Sequence, residues 1–179
     1  MKNLQNIIQS SIYNENKKNT NFEIQLVNKV CDNFYKFDVG EIQFHNILQK
    51  YSKYKTQQYR LYYHNDLTYA CYQQGIQRCY KTNVYSTNYC NNNSLFYIYR
   101  EMYVSPDEFP SKMNYNNITD VEEYQIITKN FVTIILQKLK DGENISYSVK
   151  IRYTIKNENF KKTEVIQSLF STYNSLISL

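Results

Sequence analysis

The sequence predicts one α+β domain, mainly antiparallel, with a strongly curled sheet or barrel-like meander, one helix after the first strand and a covering C-terminal helix. Three observations point there. Period-two alternation recurs from Phe22 to Ile155, as half-buried strands require. An Asp-Gly pair at Asp141-Gly142 separates two such stretches, and this dipeptide favours a tight hairpin. Helical apolar stripes fall near Phe44 and between Val165 and Ile177, with a shorter one at the start of the chain.

Taken in order, residues 1–12 place Leu4, Ile7, Ile8 and Ile12 on one side of a short helix, and residues 13–21 read as a polar loop. Residues 1–21 are expected to be peripheral to a single domain spanning 1–179. A strand follows at Phe22–Lys29, where Phe22, Ile24 and Leu26 alternate with Glu23, Gln25 and Val27. Asp38 and Glu41 have capping-box spacing, and Phe44, Ile47, Leu48 and Tyr51 form the stripe of the helix behind them. Tyr59–Tyr63 and Leu67–Gln73 flank the turn-like His64-Asn65-Asp66, and Gly75 separates them from a strand at Gln77–Tyr85. A polar tip at Thr87–Ser94 leads into Leu95–Val104. Residues 105–120, with Pro106 and Pro110, form the longest predicted loop, suited to a lid or partner contact. Tyr124–Leu139 and Ile145–Ile155 are read as the two arms of the Asp-Gly hairpin. In the second arm Tyr147, Val149, Ile151, Tyr153 and Ile155 share one face, while Lys150, Arg152 and Lys156 lie on the other. The predicted C-terminal helix covers about Thr163–Ile177.

Composition bounds the function more by exclusion than by direction. With 42% hydrophobic and 21% charged residues the chain is ordinary globular material, and its mean hydropathy of -0.66 reflects Asn and Tyr. Tyr occurs 20 times and Trp not at all, while 3 Gly and 2 Pro leave the turns to Asn and Asp. This usage resembles that of proteins from AT-rich genomes, large DNA viruses among them. A net charge of +5 permits polyanion binding without requiring it. Cys31, Cys71, Cys79 and Cys90 form no CxxC pair, so a zinc site is not expected and reduced thiols are. The first residues lack the apolar core of a signal peptide, and no apolar run is long enough for a membrane span; an intracellular location is expected, host cytoplasm or virion if the source is viral. The sequons at Asn92, Asn117 and Asn144 are no more than chance supplies in so Asn-rich a chain.

No phosphate loop, dinucleotide fingerprint, HExxH or GxSxG is present. His45 lies off the helical stripe and reads as a surface residue. His64 and Cys71 flank a turn and could face each other across a hairpin. Asp120, Glu122 and Glu123 cluster at a loop–strand junction, where a solvated rim is the ordinary reading. The basic residues on predicted strands are the candidate phosphate ligands: Arg78, Lys81, Arg100, Lys150 and Arg152. A curled sheet could bring them onto one anion, whereas a flat sheet would leave them as its wet face.

Several stretches resemble the triphosphate tunnel metalloenzymes, the group that includes mRNA-capping RNA 5′-triphosphatases and CYTH-type phosphohydrolases. Phe22–Leu26 (FEIQL) is similar to the first tunnel strand, normally E-x-E, and Phe44–Tyr51 to the helix after it. Gly75–Lys81, Tyr97–Glu101 and Val149–Thr154 are similar to basic tunnel strands. The resemblance implies Mg or Mn held by paired carboxylates, with Glu23 as one ligand. However, Gln25 stands where the second carboxylate of the pair would be, and residues 157–179 read as helix rather than a closing acidic strand. It thus implies a degenerate, non-catalytic relative that binds RNA 5′ ends, nucleotides or another phosphorylated small molecule. Two alternatives stay open: a structural or interaction subunit of a viral or organellar assembly, meeting protein partners through exposed tyrosines, and an active metal-dependent triphosphatase.

Overall fold

The structure is a computed structural model describing residues 4–14, 18–31, 34–64, 67–73, 77–91, 93–104, 118–128, 132–156 and 160–179. The tip of the His64-Asn65-Asp66 turn, Gly75 and most of the proline-bearing loop lie outside these residues. The elements run α1 (Leu4–Asn14), β1 (Thr20–Leu26), β2 (Asn28–Cys31), β3 (Phe34–Lys36), α2 (Glu41–Lys50), β4 (Lys55–His64), β5 (Leu67–Tyr72), β6 (Gln77–Asn91), β7 (Ser94–Val104), β8 (Ile118–Ile127), β9 (Thr133–Asp141), β10 (Asn144–Thr154) and α3 (Lys162–Ile177). Eight strands close into an antiparallel barrel in the order β1-β10-β9-β8-β4-β5-β6-β7, with β7 returning to β1, and β2-β3 form a separate ribbon. The curled meander of the sequence is therefore a closed barrel, which leaves no sheet edge unpaired.

The strand expected at Phe22–Lys29 divides into β1 and the start of the β2-β3 ribbon, and two further segments differ from expectation. Tyr124–Leu139 is not one arm: β8 and β9 are antiparallel neighbours, and Thr128 donates its amide to the Val132 carbonyl between them. No Gly or Pro marks the reversal between the two strands, so the sequence reads as a single arm. The polar tip expected at Thr87–Ser94 is instead mostly strand, because β6 continues to Asn91 with register shifts at Val84/Ser86 and Tyr89/Asn91. Cross-strand pairing with β7 outweighs the poor strand propensity of asparagine here.

The barrel carries its polar face inside and its apolar face outside. Phe22, Ile24 and Leu26 of β1, Val149 and Ile151 of β10, and Ile134 and Leu136 of β9 point away from the axis and are buried beneath the helices. Phe44 and Ile47 of α2, Ile8 and Ile12 of α1, and Val165, Leu169, Tyr173 and Leu176 of α3 cover them. The i, i+4, i+8, i+11 spacing on α3 puts these four side chains on one stripe. Each buried aliphatic or aromatic side chain contributes roughly 1.5–3 kcal/mol, so the helical coat is the main hydrophobic store of the fold.

Two glycines fix local geometry. Gly40 (φ 82) is the N-cap of α2, not Asp38, so the expected capping box does not form. The Asp38 carboxylate instead accepts amides from Gly40 at 2.9 Å and from Tyr147 at 3.0 Å, tying α2 to β10. Gly142 (φ 59) opens the two-residue turn closed by the Asp141–Asn144 pair, and a Cβ there would meet nothing within 4 Å. Backbone conformation alone is therefore at stake. Gly142→Ala should cost about 1–2 kcal/mol, lowering Tm by roughly 2–8 °C in a thermal melt, and Gly142→Asn should cost less.

Candidate functional site: a polar tunnel

Strand parity determines what faces the barrel axis. On β1, Glu23 and Gln25 alternate with the apolar trio and point inward; on β10, Lys150 and Arg152 do the same. The paired residues are Glu23 with Arg152 and Gln25 with Lys150, so acid and amide stand opposite two cations on neighbouring strands. Tyr59 of β4, Tyr72 of β5, Tyr80 of β6 and Tyr99 and Tyr103 of β7 add an aromatic lining. The cavity, open to solvent, holds about 420 Å³, a volume suited to a small ligand. Three cations (Arg78, Lys150, Arg152) and three carboxylates (Glu23, Glu101, Glu123) line it, so its formal charge balances.

Glu23 is the centre of the first polar node. Its Oε2 accepts from Arg152 Nε at 2.8 Å and from the Tyr99 hydroxyl at 2.9 Å, and the Arg152 guanidinium lies 5.5 Å from the Tyr99 ring centroid. The Glu23 side chain is only 6% exposed. Burial pushes its pKa up, but the Arg152 and Lys150 charges and the two hydrogen bonds outweigh that and hold it below the ordinary carboxylate value. Burial opposes the charge on Arg152, yet Glu23 and its neighbours raise its pKa and keep it cationic.

Glu123 on β8 centres the second node. Gln57 and Gln125 donate to its Oε1 at 2.5 and 2.6 Å; Tyr59 and Gln137 each donate to its Oε2 at 2.7 Å. Burial again pushes the acid up, and these hydrogen bonds more than offset it. Four neutral donors thus hold a buried carboxylate ionised. Tyr59, Tyr80 and Tyr99 are pushed up by burial first and then by nearby Glu123, Glu101 and Glu23, so their phenols remain protonated donors.

No family model matches the chain, and no curated protein matches it in sequence. Its backbone does match solved structures. In fold, the chain resembles an RNA triphosphatase. One structure of the S. pombe RNA triphosphatase Pct1 superimposes with a TM-score of 0.69 at 12% identity, covering 97% of this chain and 90% of that one. A second, of Pct1 in complex with the Spt5 CTD, gives 0.63 at 11% identity, covering 96% and 83%. The resemblance inferred from short strand motifs is therefore present in the backbone, at a sequence identity that speaks for the fold alone.

The barrel brings Arg78, Lys150, Arg152 and Glu23 to the tunnel, but not Lys81 or Arg100. Lys81 is an odd number of residues from Arg78 along β6, and Arg100 lies between the inward-facing Tyr99 and Glu101 on β7; both fall on outer parity. Arg100 Nε donates to Thr20 Oγ1 at 2.8 Å. The backbone register sets His64 against Leu67 and Cys71 against Arg60, not against each other. Exposed His45 sits on α2, with Nδ1 2.9 Å from the Glu41 carbonyl. Sequence reading missed Glu123, Glu101, Gln137 and the tunnel tyrosines. The available signal was a repeated pattern: Glu23-x-Gln25 on β1 recurs as Glu123-x-Gln125 on β8, and both pairs face inward.

Proposed function

We propose that this chain is a non-hydrolytic tunnel domain that binds a phosphorylated ligand, such as an RNA 5′ end or a nucleotide, without a divalent metal. The observation that carries the reading is the internal engagement of both buried carboxylates: Glu23 through Oε2 by Arg152 and Tyr99, and Glu123 through both oxygens by Gln57, Tyr59, Gln125 and Gln137. A hard divalent cation does not fit this donor set. It needs several converging oxygens, whereas a guanidinium stands against Glu23 and amide and phenol donors surround Glu123. Among the described residues, no three His, Cys, Asp or Glu side chains converge as ligands.

With Arg152 engaged by Glu23, Arg78 and Lys150 supply positive charge to the open cavity. Lys150 also lines a neighbouring groove with Ser148, Lys36 and Asp38, where Lys36 is paired with Asp38 at 3.3 Å and Lys150 is the remaining cation. Charge-assisted hydrogen bonds to phosphate oxygens contribute about 1.5–3 kcal/mol each. Calorimetric titration with inorganic tripolyphosphate in the presence of EDTA should therefore show binding that weakens as salt rises. Lys150→Ala and Arg78→Ala should each weaken it about tenfold or more. Triphosphate-ended RNA with manganese should release no phosphate. Absence of tripolyphosphate binding, or manganese-dependent phosphate release, would overturn the reading.

A further inference from the structure

From the distribution of charge over the two ends of the barrel, we infer that the tunnel is loaded from one end, where lysines outside the cavity draw anionic ligands in. The inference rests on the phosphate-binding reading above and adds the route by which the anion arrives. Neighbouring strands are antiparallel, so their starts and finishes alternate around the barrel. At one end β1, β4, β6 and β9 begin and β5, β7, β8 and β10 finish. Lys18 stands two residues before β1, Lys53 and Lys55 at the start of β4, Arg78 at the start of β6 and Lys156 two residues after β10. All five are exposed, and among the described residues none of the four lysines is held in an ion pair. No carboxylate lies within two residues of a strand terminus at this end. At the opposite end, Asp120, Asp141 and Glu143 lie that close to a terminus, against Lys140.

A net charge of +5 requires surface cations, but not that they gather on one rim. Lys55 shares the inward parity of Gln57 and Tyr59 on β4, and Lys156 continues that of Lys150 and Arg152 on β10. The basic rim is therefore continuous with the tunnel wall, and Tyr103, near the finish of β7 and 66% exposed, marks where that wall meets solvent. The field of an exposed charge reaches about 8–10 Å at physiological salt, so neighbouring lysines on a rim act together. A mouth lined by one sign of charge raises the local concentration of the opposite ion and its association rate, by about tenfold or more. A groove near the other end also reaches Lys150, but there Lys36 is spent on Asp38. A multivalent anion thus meets net attraction at one end and a carboxylate excess at the other. The lysines act on the approach, before the ligand touches Arg78 or Lys150.

The test is stopped-flow association of inorganic tripolyphosphate with the full chain, followed by tyrosine fluorescence, with thermal melts confirming that each variant folds. At low salt, Lys53→Glu/Lys55→Glu should slow association about fivefold or more while dissociation changes less than about twofold. Near 1 M salt, where the Debye length falls to about 3 Å, the difference should vanish. Lys18→Glu/Lys156→Glu, on other strands of the same rim, should act in the same way. Asp141→Asn/Glu143→Lys makes the opposite end more basic and should leave association within about twofold of wild type. Unchanged association in either lysine variant would overturn one-ended loading and leave the phosphate reading standing. So would a gain in Asp141→Asn/Glu143→Lys as large as the lysine variants' loss, since net charge alone would then explain both. A wild-type chain that binds no tripolyphosphate would overturn both readings.

Discussion

Arg152→Ala is expected to destabilise the protein by about 3–5 kcal/mol, because it strands Glu23 as a buried charge without its principal partner. Glu23 is 6% exposed and Arg152 27%, so solvent cannot replace the lost contact at Glu23. For a domain of this size the drop in Tm is roughly 6–20 °C. The double variant Glu23→Leu/Arg152→Met should recover most of the loss, since an apolar pair removes both the charge and the need to solvate it.

The pH dependence gives an independent readout. In the wild type the folded pKa of Glu23 is held below its ordinary value, so its contribution is present above that value and is lost only as pH falls through the folded pKa. Between pH 5 and 8 this group should leave wild-type stability nearly flat. Without Arg152, burial becomes the dominant influence and raises the Glu23 pKa above the unfolded value. The sign then reverses, and Arg152→Ala should be more stable near pH 5 than at pH 8 in urea titrations. Equal stability of wild type and Arg152→Ala at both pH values would refute the pair's role.

The second large effect concerns Glu123. Glu123→Leu removes the acceptor shared by Gln57, Tyr59, Gln125 and Gln137, and Gln137 is itself buried. Buried donors left unpaired cost about 1–3 kcal/mol each; water in the open cavity relieves the more accessible ones, so the expected loss is about 2–4 kcal/mol. Glu123→Gln keeps an acceptor oxygen and the side-chain volume, and should cost less than half as much. Urea unfolding followed by the tyrosine near-UV signal measures both, with an unchanged m-value showing that the folded state keeps its compactness. A Glu123→Leu variant within about 0.5 kcal/mol of wild type would show that the node carries no stability.

Both predictions act on residues the sequence treated unequally. Glu23 was legible because it alternates with Phe22, Ile24 and Leu26, leaving it on a separate face of β1. Glu123 was not. It sits beside Glu122 and near Asp120, and the three look like one acidic rim. On β8, however, Asp120 pairs with Arg60 on the outside at 2.6 Å, while Glu123 turns inward. A single-residue step in parity separates a surface ion pair from a buried carboxylate. The same step divides Arg78 from Lys81 and removes Arg100 from the tunnel.

The sequence by itself determined the helices α2 and α3, the hairpin at Gly142 and the two-faced character of β1 and β10, because these follow from local spacing and turn chemistry. The tertiary structure decided which face lies inside. Alternation defines two faces but carries no label for the barrel axis, and only closure of β7 on β1, with helices covering the apolar side, turns the polar face into a tunnel wall. Closure also brings residues as distant in sequence as Glu23, Tyr99 and Arg152 into hydrogen-bonding contact. That separation is why the carboxylate nodes, and the donors and guanidinium engaged on them, could be read only from the folded chain.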